Sequence, residues 1–455
     1  MAAQFLPLSS VSSVLHGAVC ISPINVPRLA LELSSPSSQA FQSSKLTAAA
    51  GGFGRMKAYG PNSSSSATTV VHAQLQAVEG LKHLDDLKLQ RHNQVKDFVI
   101  PKFVPPFYHK RNPLETEADR AAQQWFHHYF GNSTILETFD NIKKDTTHTI
   151  PVAVHPTAEL SRLEWALEFY QFLFAIDDVV NCKTRTSTLE DLEDFFVELM
   201  VVIISSFPED QILKENLGKY FHDEIDSKST KDFPEKVLAQ VLQHSEFDER
   251  KVSAVCAAFS NLWSRATSKM PKEWSLRYAH IIQESMLSQF FEARNLFHKK
   301  EPSISTYMFH RHKFGFMTAA LAIVDYVDDV FLPNTLYFSS PMQRLLQATG
   351  DVVCWHNDIY SFQKEFVNGE MYNLVIILGK EEGSSHNKTA ELVNQMLIDQ
   401  LGEVQSAIIE LRTLSQNNND ITPSQIAAIE QYIISCTGFI SSTHEYHAES
   451  ARFQL

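Results

Sequence analysis

A single-domain, all-α bundle of long helices around a central apolar cavity is the fold this sequence predicts, and three observations carry it. Apolar residues recur at the 3.6-residue helical period through most of the chain after residue 114. Alternating strand patterns are scarce, and no Asn-Gly pair sits between two of them as a hairpin turn. Stretches of helical pattern differ in length, and no repeat of 20–50 residues appears, which excludes a solenoid.

Composition narrows the function. At 455 residues the chain has room for one large domain or two ordinary ones, and 44% hydrophobic content with 31 Phe supplies an ample core. A net charge of −14 argues against a nucleic-acid surface, which needs a basic stripe. The five cysteines (Cys20, Cys182, Cys256, Cys354, Cys436) are scattered and form no CxxC, so they read as reduced thiols rather than a disulfide framework. No apolar run reaches the ~18 residues of a membrane span. The longest, residues 199–204 with Phe195 and Phe196 before it, is interrupted by Glu198. A soluble protein is expected.

Taken in order, residues 1–78 stand apart. They hold fifteen serines, no Asp, one Glu (Glu32) and four basic residues (Arg28, Lys45, Arg55, Lys57), which leaves about −17 on the remainder. Ser-rich, acid-poor and weakly basic is the composition of an organelle transit peptide, with no compact apolar segment of the secretory kind. Plastid targeting with cleavage within 50–80 is the expectation, and a plain disordered tail on a cytoplasmic protein is the alternative. Ile100-Pro101, Pro105-Pro106 and Asn112-Pro113 then form an extended entry to a domain covering 79–455. A helix follows from Leu114, with Glu115, Glu117 and Asp119 near its positive end. Further helical patterns run through about 157–180, 189–205, 232–243, 247–268, 272–298, 303–328, 340–367, 386–414 and 423–441.

Two of these helices carry candidate chemistry. In 340–367, Asn357, Ser361 and Glu365 fall at i, i+4 and i+8, so an amide, a hydroxyl and a carboxylate share one face. Such oxygens suit a hard cation such as Mg²⁺, which also takes substrate phosphates. A solvated polar helix face is the plain alternative. The second group, Asp177 and Asp178, ends an aromatic run containing Trp165, Phe169, Tyr170, Phe172 and Phe174. Carboxylates at the mouth of an aromatic pocket are costly to desolvate unless cations pair them. An acidic protein that grips a diphosphate through bridging metals would combine the two groups. Asp178 has local hydrogen bonding as its alternative, and the aromatics have ordinary core packing. Arg311 precedes Asn357 by 46 residues, a helix-and-return distance, and offers a planar fork for phosphate oxygens. Gly315, four residues on, permits close approach. His310 and His312 do not share a helical face, so they make a poor metal site. Asp325, Asp328 and Asp329 precede Leu332-Pro333 and read as a helix-ending loop.

With these residues together, the sequence resembles the class I terpene synthases, in particular the microbial-type members also found in non-seed plants. Residues 357–365, including Lys364, match that family's second metal motif, and Phe174-Ala175-Ile176-Asp177-Asp178 resembles its aspartate-rich motif. Arg311 and Gly315 match its diphosphate-sensing arginine and helix-break glycine. Tyr446-His447-Ala448-Glu449-Ser450-Ala451-Arg452-Phe453 is similar to the terminal segment that ends in an Arg-Tyr pair. The likeness runs from about 98 to 455. Three positions depart from it: Asn181 stands where many members carry a third acid, Phe314 where an acid often holds the sensor arginine, and Phe453 for the terminal Tyr. A DxDD motif and the long two-domain architecture of the usual plant enzymes are absent, so protonation-initiated cyclisation is not expected.

The resemblance implies an enzyme that ionises and cyclises an acyclic prenyl diphosphate, with three Mg²⁺ and Mn²⁺ as a substitute. Asp177, with Asp178 beside it, would hold two ions, and Asn357, Ser361 and Glu365 the third. Arg311, Lys364 and Arg452 would bind the diphosphate. Phe174, Tyr170 and Phe316 would present aromatic faces to the carbocation, each worth ~1–2 kcal/mol when desolvated. A chain-elongating prenyltransferase and a non-catalytic prenyl-diphosphate-binding relative are the rivals. Chain length stands open between C10, favoured by plastid targeting, and C15, with C20 behind them. Oligomeric state is not written in the sequence.

Overall fold

Capping residues set most of the helix boundaries. The computed structural model describes residues 86–131, 147–186, 188–219, 233–243, 253–450 and 453, without the side chains of 181–186, 219 and 242–243. The leader, Arg452 and the side chain of Asn181 lie outside the described residues. Asp85–Leu455 forms one compact unit. In chain order the helices are α1 (Glu115–Phe130), α2 (Thr149–Val154), α3 (Leu160–Thr186), α4 (Leu189–Ser206), α5 (Gln211–Lys219), α6 (Phe233–Gln243), α7 (Ala254–Thr267) and α8 (Lys272–Phe297). There follow α9 (Ile304–Phe314), α10 (Met317–Ala322), α11 (Val324–Val327), α12 (Asn334–Tyr337), α13 (Ser340–Asn368), α14 (Leu374–Glu382), α15 (His386–Asn417) and α16 (Pro423–Glu449). Among the described residues no strand forms, and no helix is long and apolar enough to cross a membrane.

Thr188 and Asp191 make a reciprocal capping box that starts α4, and Thr422 with Gln425 makes another that starts α16 behind Pro423. Ser253 and Ser303 cap α7 and α9 through their hydroxyls. Asn368-Gly369 ends α13, with Gly369 at φ 80, a left-handed conformation open to glycine at no steric cost. The pattern expected to run unbroken through 303–328 is divided into α9, α10 and α11. Both sides of the division face the core, so apolar periodicity passes through it. Phe316 joins α9 to α10 at φ 55, where a bulky residue is strained by about 1–2 kcal/mol. The short helices α2, α5, α12 and α14 escape the periodicity reading, because a run such as Leu374–Ile377 is apolar throughout.

An aromatic core welds α3, α7 and α8 together. Trp165 stacks on Phe169 at 5.1 Å, Trp274 on Tyr278 at 4.9 Å, and Trp263 on Tyr278 at 5.6 Å. All five are buried, each contributing about 1.5–3 kcal/mol through burial. The indole N–H of Trp165 donates to the Leu262 carbonyl and that of Trp274 to Ala322, so neither polar group is left unpaired. Helix α4, buried along nearly its whole length, backs this layer, and α15 packs along α13.

The acidic group at 325–329 does sit at a helix end, and each carboxylate takes a structural partner. Asp325 is fully buried, pairs with Arg277 at 3.0 Å and accepts from Tyr432 and from the Leu332 amide. Burial pushes its carboxyl up to about 6 against the pull of Arg277. Asp328 lies 2.6 Å from His155, and Asp329 2.5 Å from Arg162. Likewise His310 meets Ser288, and His312 meets Asp351.

Arg277 also donates to the Leu332 carbonyl at 2.9 Å and lies over the Tyr337 ring. Removing it strands a buried carboxylate, which costs about 3–5 kcal/mol. Arg277→Ala is therefore expected to lower unfolding free energy by that amount in a denaturant titration. A wild-type midpoint would mean that the pair contributes nothing to the fold.

Candidate active site

One cavity of about 580 Å³ receives side chains from both candidate groups. Asp177 and Asp178 enter it from α3, and Asn357, Ser361, Lys364 and Glu365 from α13. Arg311 and Gly315 reach it at the end of α9. Its apolar lining includes Tyr170, Leu173, Phe174, Phe316, Met317 and Phe439. Tyr170 and Phe174, four residues apart on α3, thus fall on the cavity face as the aromatic run suggested. Phe453 also lines it, edge-on to the His447 ring with centroids 4.8 Å apart.

The helical spacing of Asn357, Ser361 and Glu365 puts all three on the same side of α13. Ser361 donates to the Asn357 carbonyl at 2.8 Å and accepts from Asn373 Nδ2 at 3.4 Å, which leaves one of its two oxygen lone pairs available. Glu365 Oε2 accepts from Asn373 at 2.9 Å. Burial, then repulsion from Glu370, pushes the Glu365 carboxyl up to about 8. A second carboxyl, Glu292 of α8, also lines the cavity. Burial and Asp177 hold it well above the carboxylate range, with Arg311 opposing. Oxygen donors gathered around buried carboxyls that repel one another fit a hard divalent cation.

Arg311 is anchored by a buried network. Its Nη2 lies 2.9 Å from Asp358 Oδ1 and 3.1 Å from Asn357 Oδ1. Asp358 Oδ2 accepts from the Tyr307 hydroxyl and, at 3.0 Å, from the Leu374 amide. Asn373 donates to the Asp358 carbonyl at 2.7 Å and caps α14 with its own oxygen. Burial alone would lower the guanidinium pKa; Asp358 reverses that and raises it further. Phe314, where an acid was the alternative, gives Arg311 a ring face at 5.1 Å instead of a charge. Arg311 Nε finds no acceptor among the described residues, which leaves a donor for an anion in the cavity.

Several of these participants were not singled out in the sequence. Asp358 stands within the motif run, but its partners Tyr307, Asn373 and the Leu374 amide come from other elements. Glu370 sits just past the Gly369 cap, where no periodic pattern reaches. No spacing rule signals any of them.

Gly315 is confined by Arg311. A Cβ there would lie 2.8 Å from Arg311 Nη1, 2.9 Å from its carbonyl and 3.4 Å from Cys354 Sγ. The first of these contacts would displace the guanidinium from its place at the cavity.

The family model described as "Terpene synthase family 2, C-terminal metal binding" matches residues 168–403. An alpha-gurjunene synthase of Marchantia polymorpha is 26% identical over 309 residues, covering 64% of this chain and 70% of that protein. A 4-epi-cubebol synthase of Streptosporangium roseum, described as (2E,6E)-farnesyl diphosphate cyclizing, is 21% identical over 358 residues, 78% of this chain and 92% of that one. Among solved structures, apo hedycaryol synthase superposes with a TM-score of 0.60 at 19% identity, covering 77% of this chain and all of that chain. Germacradien-4-ol synthase from Streptomyces citricolor gives a TM-score of 0.57 at 18% identity, covering 78% and 99%. These superpositions establish a shared all-α fold.

Gly315→Ala is expected to lower turnover by about 10–100-fold, because displacement of an aligned group by ~1 Å costs that much. Thermal unfolding should also shift downward, because the methyl meets the Arg311 main-chain carbonyl and loosens the buried Arg311–Asp358 pair. Steady-state rates beside a melting curve check this, and unchanged turnover would show that Arg311 tolerates the methyl.

Proposed function

We propose, from the premise that this chain belongs to terpene synthase family 2, that it ionises and cyclises farnesyl diphosphate (C15), releasing diphosphate. The observation that carries this is one apolar cavity into which Asp177, the Asn357/Ser361/Glu365 face and Arg311 all open. The fifteen-carbon choice follows the relatives whose descriptions name (2E,6E)-farnesyl diphosphate.

The family is metal-binding, and the donor set supports three Mg²⁺ as the complement. Asn357, Ser361 and Glu365 would hold one ion, and Asp177 with Asp178 the others. Bound there, Mg²⁺ supplies Lewis-acid stabilisation of the charge that grows on the departing diphosphate. Arg311 donates to the diphosphate oxygens through Nε and the guanidinium edge, and its donors bind the leaving group more tightly as negative charge develops. Lys364, half-buried on the same helix, adds a second cationic donor, and Arg452 is assigned the same role from its motif. The lining around Leu173 and Met317 keeps water from the allylic cation. Faces of Phe174, Tyr170 and Phe316 then offer that cation its electrostatic partners. Carboxyls as poorly screened as Glu365 and Glu292 explain why an acidic protein can serve an anionic substrate: cations must stand between them.

Asn357→Ala and Glu365→Ala are expected to reduce sesquiterpene formation from farnesyl diphosphate by at least about 100-fold, and excess EDTA should abolish it in the wild type. Gas chromatography of the volatiles reads both. Product that persists in EDTA would sink the metal-dependent reading. For the leader, composition supports plastid import; a fluorescent fusion of residues 1–78 should enter plastids, and diffuse cytosolic signal would refute it.

A further inference from the structure

Three histidines stand in line beside Asn357. His447 lines the cavity and stacks on His356 with ring centroids 5.0 Å apart. Its Nε2 lies 3.2 Å from Asn357 Nδ2, and its Nδ1 lies 2.7 Å from His356 Nδ1. His356 Nε2 lies 3.2 Å from His444 Nδ1. Phe103 packs over the far end, with centroids 5.1 Å from His356 and 5.7 Å from His444.

The polarity of this line is determined at its Asn357 end. A guanidinium has donors only, so the Asn357 atom 3.1 Å from Arg311 Nη2 is the amide oxygen. The amide nitrogen therefore faces His447, and His447 Nε2 accepts. The His447 proton then resides on Nδ1 and is donated to His356 Nδ1. His356 in turn carries its proton on Nε2 and donates to His444. Each ring is neutral and in a defined tautomer.

We propose that His447 is a positioning residue that holds the Asn357 amide with its oxygen, and not its NH₂, available to a cation. His356 and His444 keep His447 in the tautomer this requires. A reversed amide would present an NH₂ group, which has no lone pair to offer a metal. Arg311 Nη2 touches the same oxygen and so competes with a cation for its lone pairs, whereas His447 holds the amide from its nitrogen side and leaves the oxygen open. This inference rests on Asn357 being a metal ligand in the proposed reaction.

The test is calorimetric titration of the full chain with inorganic pyrophosphate in excess Mg²⁺, which reads binding without turnover. His447→Leu should weaken binding by about 10–100-fold, the usual effect of losing an orienting partner. His447→Gln, whose side-chain oxygen can accept from Asn357, should stay within about threefold of wild type. His356→Leu, which leaves His447 without its acceptor, should weaken binding by about threefold or more. Affinity within about twofold of wild type in His447→Leu, or Gln binding as poorly as Leu, overturns the proposal. If His447→Leu does not fold, unchanged affinity in His356→Leu overturns it. Asn357→Ala separates the two levels of the argument. If it binds like wild type, the metal-ligand reading fails; if it loses binding while His447→Leu does not, only the positioning role fails.

Discussion

The ion pair between Arg311 and Asp358 is the interaction on which the cavity depends. It joins α9 to α13, and through the Leu374 amide and the Tyr307 hydroxyl it also fixes the start of α14. A guanidinium and a carboxylate removed from water this far contribute little net stability compared with apolar residues of the same volume. What the pair supplies is a position. Arg311 is fully charged, held at the cavity edge and short of acceptors at Nε, so it is already set to meet an anion.

The rest of the site has the opposite sign. Asp177, Asp178, Glu292, Glu365 and Glu370 border one chamber, in a chain whose net charge is −14. Burial and mutual repulsion hold at least two of these carboxyls far above their ordinary range. The arrangement is unfavourable without countercharge and becomes favourable when divalent cations arrive with a diphosphate. Site and ligand are therefore coupled through metal, and the crowding of buried carboxyls around one chamber indicates what it is built to receive.

How much of this could be read from the chain depended on the range of the contacts. Asn357, Ser361 and Glu365 were legible because a single helix carries them at four-residue intervals, and helical geometry alone brings them together. Asp177 was legible as the first charge after an aromatic run. The division at Gly315 and Phe316 was not visible in the periodicity, since both flanking helices bury the same kind of residue. Gly315 was legible as a point of close approach four residues after Arg311, and likeness to a family named it as a helix break. Asn373, which braces Glu365 and Asp358 at once, and His447, some ninety residues from Asn357, gave no local signal. Their roles arise where separate helices meet, and one sequence does not contain that information. The acids at 325–329 illustrate the reverse problem: they resemble a ligand cluster in composition, yet each is occupied by a basic or hydroxyl partner.

Phe316 has a bearing on attempts to reshape the product range. Its ring lines the cavity, so enlarging or shrinking it is an obvious way to redirect a carbocation. Its backbone, however, occupies a left-handed region that glycine, asparagine and aspartate tolerate and β-branched residues do not. A saturation library at this codon would therefore be filtered by main-chain geometry before side-chain volume could be selected. Valine and isoleucine would drop out for steric reasons unrelated to cyclisation, whereas Phe174, on regular helix, carries no such filter.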